Sequence, residues 1–236
     1  MPLTGHLAEL RSRLIKVVLA VAGAFLISYA FVDRLFALLT APLLEVQIPG
    51  LTLIGTAVTE VFFTQIKVSF IGAVFFALPV ILWQMWQFIA PGLYEHEKGY
   101  ARRFVFWGTF FFLSGAWFCY EAVFRAGFAF LLRRYQVIDI RPAIRLAEYL
   151  SFSSRLLLAF GIMFELPVAT YFIARVGLID HRTLIRHFRY ALVLIFVLAA
   201  ILTPPDIVSQ ILLAAPLLLL YGVSIGVAYL AAKKTV

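Results

Sequence analysis

Leu156–Ala174, LLLAFGIMFELPVATYFIA, is a run of 19 almost wholly apolar residues, about 28 Å of α-helix at 1.5 Å per residue. A helix of that length crosses a bilayer. Its tenth residue is Glu165. A carboxylate at the middle of a spanning helix costs roughly 3 kcal/mol on insertion scales. The positions four residues away on the same helix are Gly161 and Ala169, which offer no side-chain partner. Glu165 must therefore be satisfied by another helix, by water or by another protein. It is either a protonated acid hydrogen-bonded inside a bundle or the centre of a polar hollow. Pro167 removes a backbone donor and frees the carbonyl of Met163, which predicts a kink.

The rest of the chain is similarly apolar. Of 236 residues, 64 % are hydrophobic and 14 % charged, and the mean hydropathy is +0.99. Such a chain is expected to be one all-α polytopic membrane domain over residues 1–236. The single cysteine, Cys119, makes no intrachain disulfide. His181 and His187 lie six apart, on different faces of a helix. No metal site and no cofactor are expected. The net charge of +8 belongs to orienting loops and not to nucleic-acid binding.

Six spans are expected, near residues 17–32, 66–90, 104–132, 156–174, 190–202 and 207–230. Before the first, Thr4 or Gly5 caps a short amphipathic helix on which Glu9 and Arg13 pair at i, i+4. The basic start and apolar run also resemble a secretory signal, with Ser28-Tyr29-Ala30 as a weak cleavage site, but cleavage is not expected. Pro79 should bend the second span, Trp83 and Trp86 close it as an interfacial belt, and Gln84 and Gln87 share one of its faces. Glu121 and Arg125 pair in the far half of the third span. Gly177 stops the helix after the fourth. The fifth span has 13 residues, about 20 Å, which calls for a thinned bilayer or entering water. It ends at Thr203-Pro204-Pro205-Asp206, where Asp206 caps the sixth helix and Gln210 lies close behind. With both termini on one side, that side carries twelve Lys and Arg and the other eight. The imbalance favours cytoplasmic termini.

Several segments, in order, carry a family resemblance. They are His6-Leu7-Ala8-Glu9-Leu10-Arg11-Ser12-Arg13, Pro79–Gln84, Phe88–Lys98 with Tyr94 inside it, Phe160–Val168, Thr203–Gln210 and Pro216-Leu217. Together they resemble TatC, the multi-spanning receptor of the twin-arginine protein translocase, over nearly the whole chain. The resemblance implies recognition of twin-arginine signal peptides on folded precursors. It also implies assembly with the single-span proteins TatA and TatB, self-association in a receptor complex, and export driven by the proton-motive force. It implies a cytoplasmic-membrane location and a concave, cupped-hand arrangement with short fifth and sixth helices.

By the same resemblance, Glu9 and Glu97 are the signal-binding acids, with Arg11, His6, Phe88 and Tyr94 around them. Carboxylates suit the task because they hold a guanidinium fork by geometry as well as charge. Glu165, Gln84, Pro167, Asp206 and Gln210 are the implied intramembrane and partner-docking residues. The chain departs from the family's pattern at Glu121 and Arg125, where an aromatic and a proline are usual, and at Gly222, where a glutamate is frequent. Loss of that proline predicts a straighter third helix. Two other classes compete. A proton-coupled small-solute transporter using Glu165 should show inverted repeats, and none is visible. An intramembrane enzyme lacks a GxSxG motif or a metal constellation.

Overall fold

The computed structural model describes residues 3–46, 48–89, 101–137, 141–203 and 206–233. Nine α-helices and a pair of three-residue strands are found there: α1 Leu3–Ala30, α2 Val32–Leu44, β1 Thr52–Ile54, α3 Glu60–Ile89, α4 Ala101–Phe118, α5 Arg125–Val137, β2 Ala143–Arg145, α6 Leu146–Arg175, α7 His181–Arg186, α8 Phe188–Leu202 and α9 Ile207–Lys233. A π-helical segment, Cys119–Phe124, joins α4 to α5. Five stretches are long and apolar enough to cross a membrane, and α8 is a sixth, shorter apolar helix. Leu19, Phe106, Trp117 and Ile201 are among the many large apolar side chains left exposed, as a surface solvated by lipid requires.

The chain forms two compact units. In the first (Met1–Thr40, Gly55–Phe110 and Arg145–Ser151), α1 packs along α3. Ala24, Ala73 and Ala77 sit at their centre with Ala20, Val21, Phe25 and Ile81 around them. Small residues let the two backbones approach closely without a gap. Gly72 marks the tightest point, where a Cβ would lie 2.9 Å from Leu35 Cδ1 and 3.0 Å from Ser28 Oγ. Glu60, at the start of α3, accepts hydrogen bonds from the backbone N–H groups of Thr56 (2.5 Å), Ala57 (3.2 Å) and Ala147 (3.0 Å). One carboxylate thus holds the preceding loop and the first turn of α6.

In the second unit (Ala41–Ile54, Phe111–Ile144 and Phe152–Val236), α6 meets the third span at two glycines. A Cβ on Gly115 would lie 2.6 Å from the Phe160 carbonyl oxygen, and one on Gly161 would lie 2.7 Å from the Phe112 ring. Phe118 fills the next layer against Phe160 and Phe164. At the end of α6, Ala174 packs together with Ala228 and Ala231 of α9, with Tyr171 and Leu184 against them.

Several boundaries differ from the sequence expectation. No amphipathic helix precedes a separate first span: α1 is continuous over 28 residues, because no proline interrupts it, and the chain turns only at Phe31. The third span is unbroken from Ala101 to Val137 and carries a π segment that the sequence did not predict. Without a proline every N–H can still donate, and the helix widens at Cys119–Phe124 so that Cys119, Val123 and Phe124 are all buried. The fourth span begins ten residues early, at Leu146, because Leu146, Tyr149 and Leu150 have an apolar contact face to bury. The sixth helix is not short. Its 27 residues run through Pro216 without a break, about 40 Å in all. Trp86 is not an interfacial residue; it is 4 % exposed and its ring lies 4.9 Å from Phe104. The strand pair, with Thr52 N–H donating to Pro142 O at 3.2 Å, lies between the expected spans.

Other expectations agree with the structure. The fifth span is short, 15 residues as α8. Gly177 has a φ of +80° and closes α6, with Leu178 N–H donating to Ile173 O and Gly177 N–H to Ala174 O. Arg125 pairs with Glu121 at 3.0 Å and also reaches Glu45 at 3.5 Å. Cys119 is buried and free.

Candidate functional site

The N-terminal residues assemble from the i, i+4 spacing upward. Glu9 and Arg13 share one face of α1, and Arg13 Nη2 donates to Glu9 Oε1 at 2.8 Å. Gln84 and Gln87, three apart, share one face of α3. Arg13 Nη1 donates to Gln84 Oε1 at 3.4 Å and also to Gln87 Oε1. One guanidinium thus links a carboxylate and two amide oxygens across two helices. Both ionic side chains remain reachable, Arg13 at 22 % and Glu9 at 21 % exposure. Arg11 is exposed and Phe88 half-buried. The side chain of His6 lies outside the described residues, as do Tyr94 and Glu97. Gln84, expected among the docking residues, belongs to this cluster in the first unit.

Glu165 lies within α6, with Pro167 buried two residues on. Its Oε1 is buried without a hydrogen-bond partner, consistent with a helix that offers it only Gly161 and Ala169. At the start of α9, Asp206 Oδ1 accepts from Ser209 N–H at 2.7 Å, the N-cap geometry that its place after two prolines predicts. Its Oδ2 is buried and unpartnered. Gln210 Nε2 donates to Phe196 O at 3.1 Å, and Thr203 Oγ1 donates to Ala199 O at 2.8 Å. The first of these bonds ties the start of α9 back to α8, and the second adds to the bond that Thr203 N–H already makes to the same carbonyl.

Two contacts escaped the sequence reading. Gln87 is placed on one face with Gln84 by its spacing, but its bond to Arg13 depends on the register between α1 and α3. Glu60 gave one signal, an acid directly before a long apolar run. Among the described residues no group of three His, Cys, Asp or Glu is placed to hold a metal.

A multi-span helical membrane protein with an isolated acid inside an apolar helix and polar helix pairs is a candidate for moving or receiving other molecules. Comparison with known proteins narrows the class. Residues 5–216 match the family of Sec-independent protein translocase proteins (TatC). A TatC protein of Desulforapulum autotrophicum is 44 % identical over 234 residues, 99 % of this chain and 86 % of that one. One from Campylobacter jejuni is 43 % identical over 221 residues, covering 93 % and 90 %. A crystal structure of the twin-arginine translocase receptor TatC superposes with a TM-score of 0.87 at 38 % identity, covering 96 % of this chain and 99 % of that one. The chain belongs to the TatC family and is a receptor subunit of the twin-arginine translocase, a transport component and not an enzyme.

Proposed function

We propose that this receptor subunit binds the twin-arginine signal peptides of folded precursors at the α1–α3 cluster and the segment following α3. In this reading Glu9 and Glu97 are the carboxylates that take the guanidinium groups, and His6, Arg11, Phe88 and Tyr94 line the approach. The observation that carries the proposal is the side-chain set around Arg13. A carboxylate and two amide oxygens already hold one guanidinium at that end of α1 and α3. Both termini then face the cytoplasm of a cytoplasmic membrane, in keeping with the twelve-to-eight excess of Lys and Arg on their side.

TatA and TatB are the partner subunits in this proposal, and they dock along α8 and the start of α9. Glu165, Asp206 and Gln210 supply the polar features of that docking, and Pro167 frees a backbone carbonyl beside Glu165. α8 supports the role because its 15 residues span about 22 Å and leave Val193, Leu194 and Val197 exposed. Photo-cross-linkers test both halves. At positions 88 and 94 they should capture a signal peptide, and at positions 193 and 197 they should capture TatA or TatB. Failure of every position within either pair contradicts that half of the proposal.

A further inference from the structure

Arg13 occupies what is, chemically, a receptor for arginine. Its Nη2 faces the Glu9 carboxylate at 2.8 Å, and its Nη1 faces the side-chain oxygens of Gln84 and Gln87. A planar fork of donors set against one carboxylate and two amide carbonyls is the arrangement any peptide guanidinium would need. The oxygens come from two helices packed along each other, so the backbones that carry them stay in place whether or not Arg13 fills the cradle. Its contents are also exchangeable. Glu9 and Arg13 each keep about a fifth of their side-chain exposure, and the buried Nε of Arg13 has no hydrogen-bond partner.

We infer that the Glu9–Gln84–Gln87 cradle is a subsite for one guanidinium of the signal peptide, and that Arg13 is its built-in placeholder. The incoming arginine displaces Arg13 and takes over its three oxygens. This rests on the reading that Glu9 belongs to the peptide site. Exchanging one arginine for another replaces like with like, so the resting cradle never holds an unpaired carboxylate. It also excludes groups that cannot span the three oxygens. A lysine ammonium is a compact point charge and reaches them less well.

A purely structural Arg13, pinning α1 to α3, predicts the opposite sign when it is removed. A lost pin leaves the peptide site looser. A lost placeholder leaves Glu9 unpaired and open to the peptide.

The test uses the full chain in nanodiscs and measures binding of an Arg-Arg signal peptide and its Lys-Lys twin. Arg13→Ala should tighten Arg-Arg binding roughly three- to tenfold while moving the Lys-Lys twin less than about twofold. Arg13→Lys, which keeps the charge and loses the fork, should tighten it by a smaller factor, and it is the deciding variant if Arg13→Ala does not fold. Adding Gln87→Leu to Arg13→Ala should take back part of the gain for Arg-Arg alone. Unchanged or weaker Arg-Arg binding in the folded Arg13 variants overturns the placeholder, provided that wild type still prefers Arg-Arg. A wild type with no such preference removes the underlying reading and this inference with it.

Discussion

Asp206 combines two roles in one side chain: Oδ1 caps α9 through Ser209 N–H, while Oδ2 is buried and unpartnered. Removing an N-cap acceptor costs about 1 kcal/mol. Asp206→Ala should therefore lower the thermal midpoint of the purified protein, while Asp206→Asn, which keeps an acceptor, should leave it nearly unchanged. Equal losses in both variants would mean that the charge, not the cap, matters for stability. Glu165 predicts a different trade. Glu165→Leu removes a group that costs roughly 3 kcal/mol to insert, so it should raise thermal stability while lowering export. A stabilised variant with normal export would free Glu165 from any role in transport. Gly222, one of the departures from the family's pattern, has open space where a Cβ would sit. Gly222→Ala should gain about 0.5–1 kcal/mol of helix stability, read as a raised thermal midpoint, and a loss would reveal a contact that a Cβ disturbs.

The α4–α6 crossing is the element pair least able to absorb change. Gly115 and Gly161 face Phe160 O and the Phe112 ring at distances no real Cβ tolerates. Gly161→Leu should destabilise by more than the 1–3 kcal/mol or so that overpacking commonly costs, and melting of the detergent-solubilised protein reads it directly. Helix existence was legible in the sequence wherever an apolar run had clear punctuation. Thr203-Pro204-Pro205-Asp206 marks the end of α8 and the cap of α9, and Gly177 marks the end of α6. Where no breaker stands, hydropathy alone misplaces the ends. α1 runs back to Leu3 through residues read as a separate helix, and α6 starts at Leu146, ten residues before the apolar run at Leu156. The π segment was illegible because the absence of a proline permits a regular helix and a widened one equally. Within the candidate site, i, i+4 spacing exposed the Glu9–Arg13 pair, and i, i+3 spacing exposed the shared face of Gln84 and Gln87. That the two pairs meet is a fact of cross-helix register, which no local pattern encodes.

At the scale of the whole molecule, the length and ordering of the apolar helices, the short α8 and the fold shared with a receptor structure at a TM-score of 0.87 fit a membrane-embedded reader of signal peptides. Its polar chemistry is concentrated in few places, and the Arg13 cluster is one of them. The central claim is that Glu9 on α1 and Glu97 in the segment that follows α3 read arginine by geometry. The most direct measurement is the affinity of the nanodisc-embedded protein for an Arg-Arg signal peptide against its Lys-Lys twin, repeated with Glu97→Gln. A preference for Arg-Arg of about tenfold or more, lost in Glu97→Gln, is the predicted result. Equal affinity of the wild type for both peptides would contradict it and reduce these acids to surface charge.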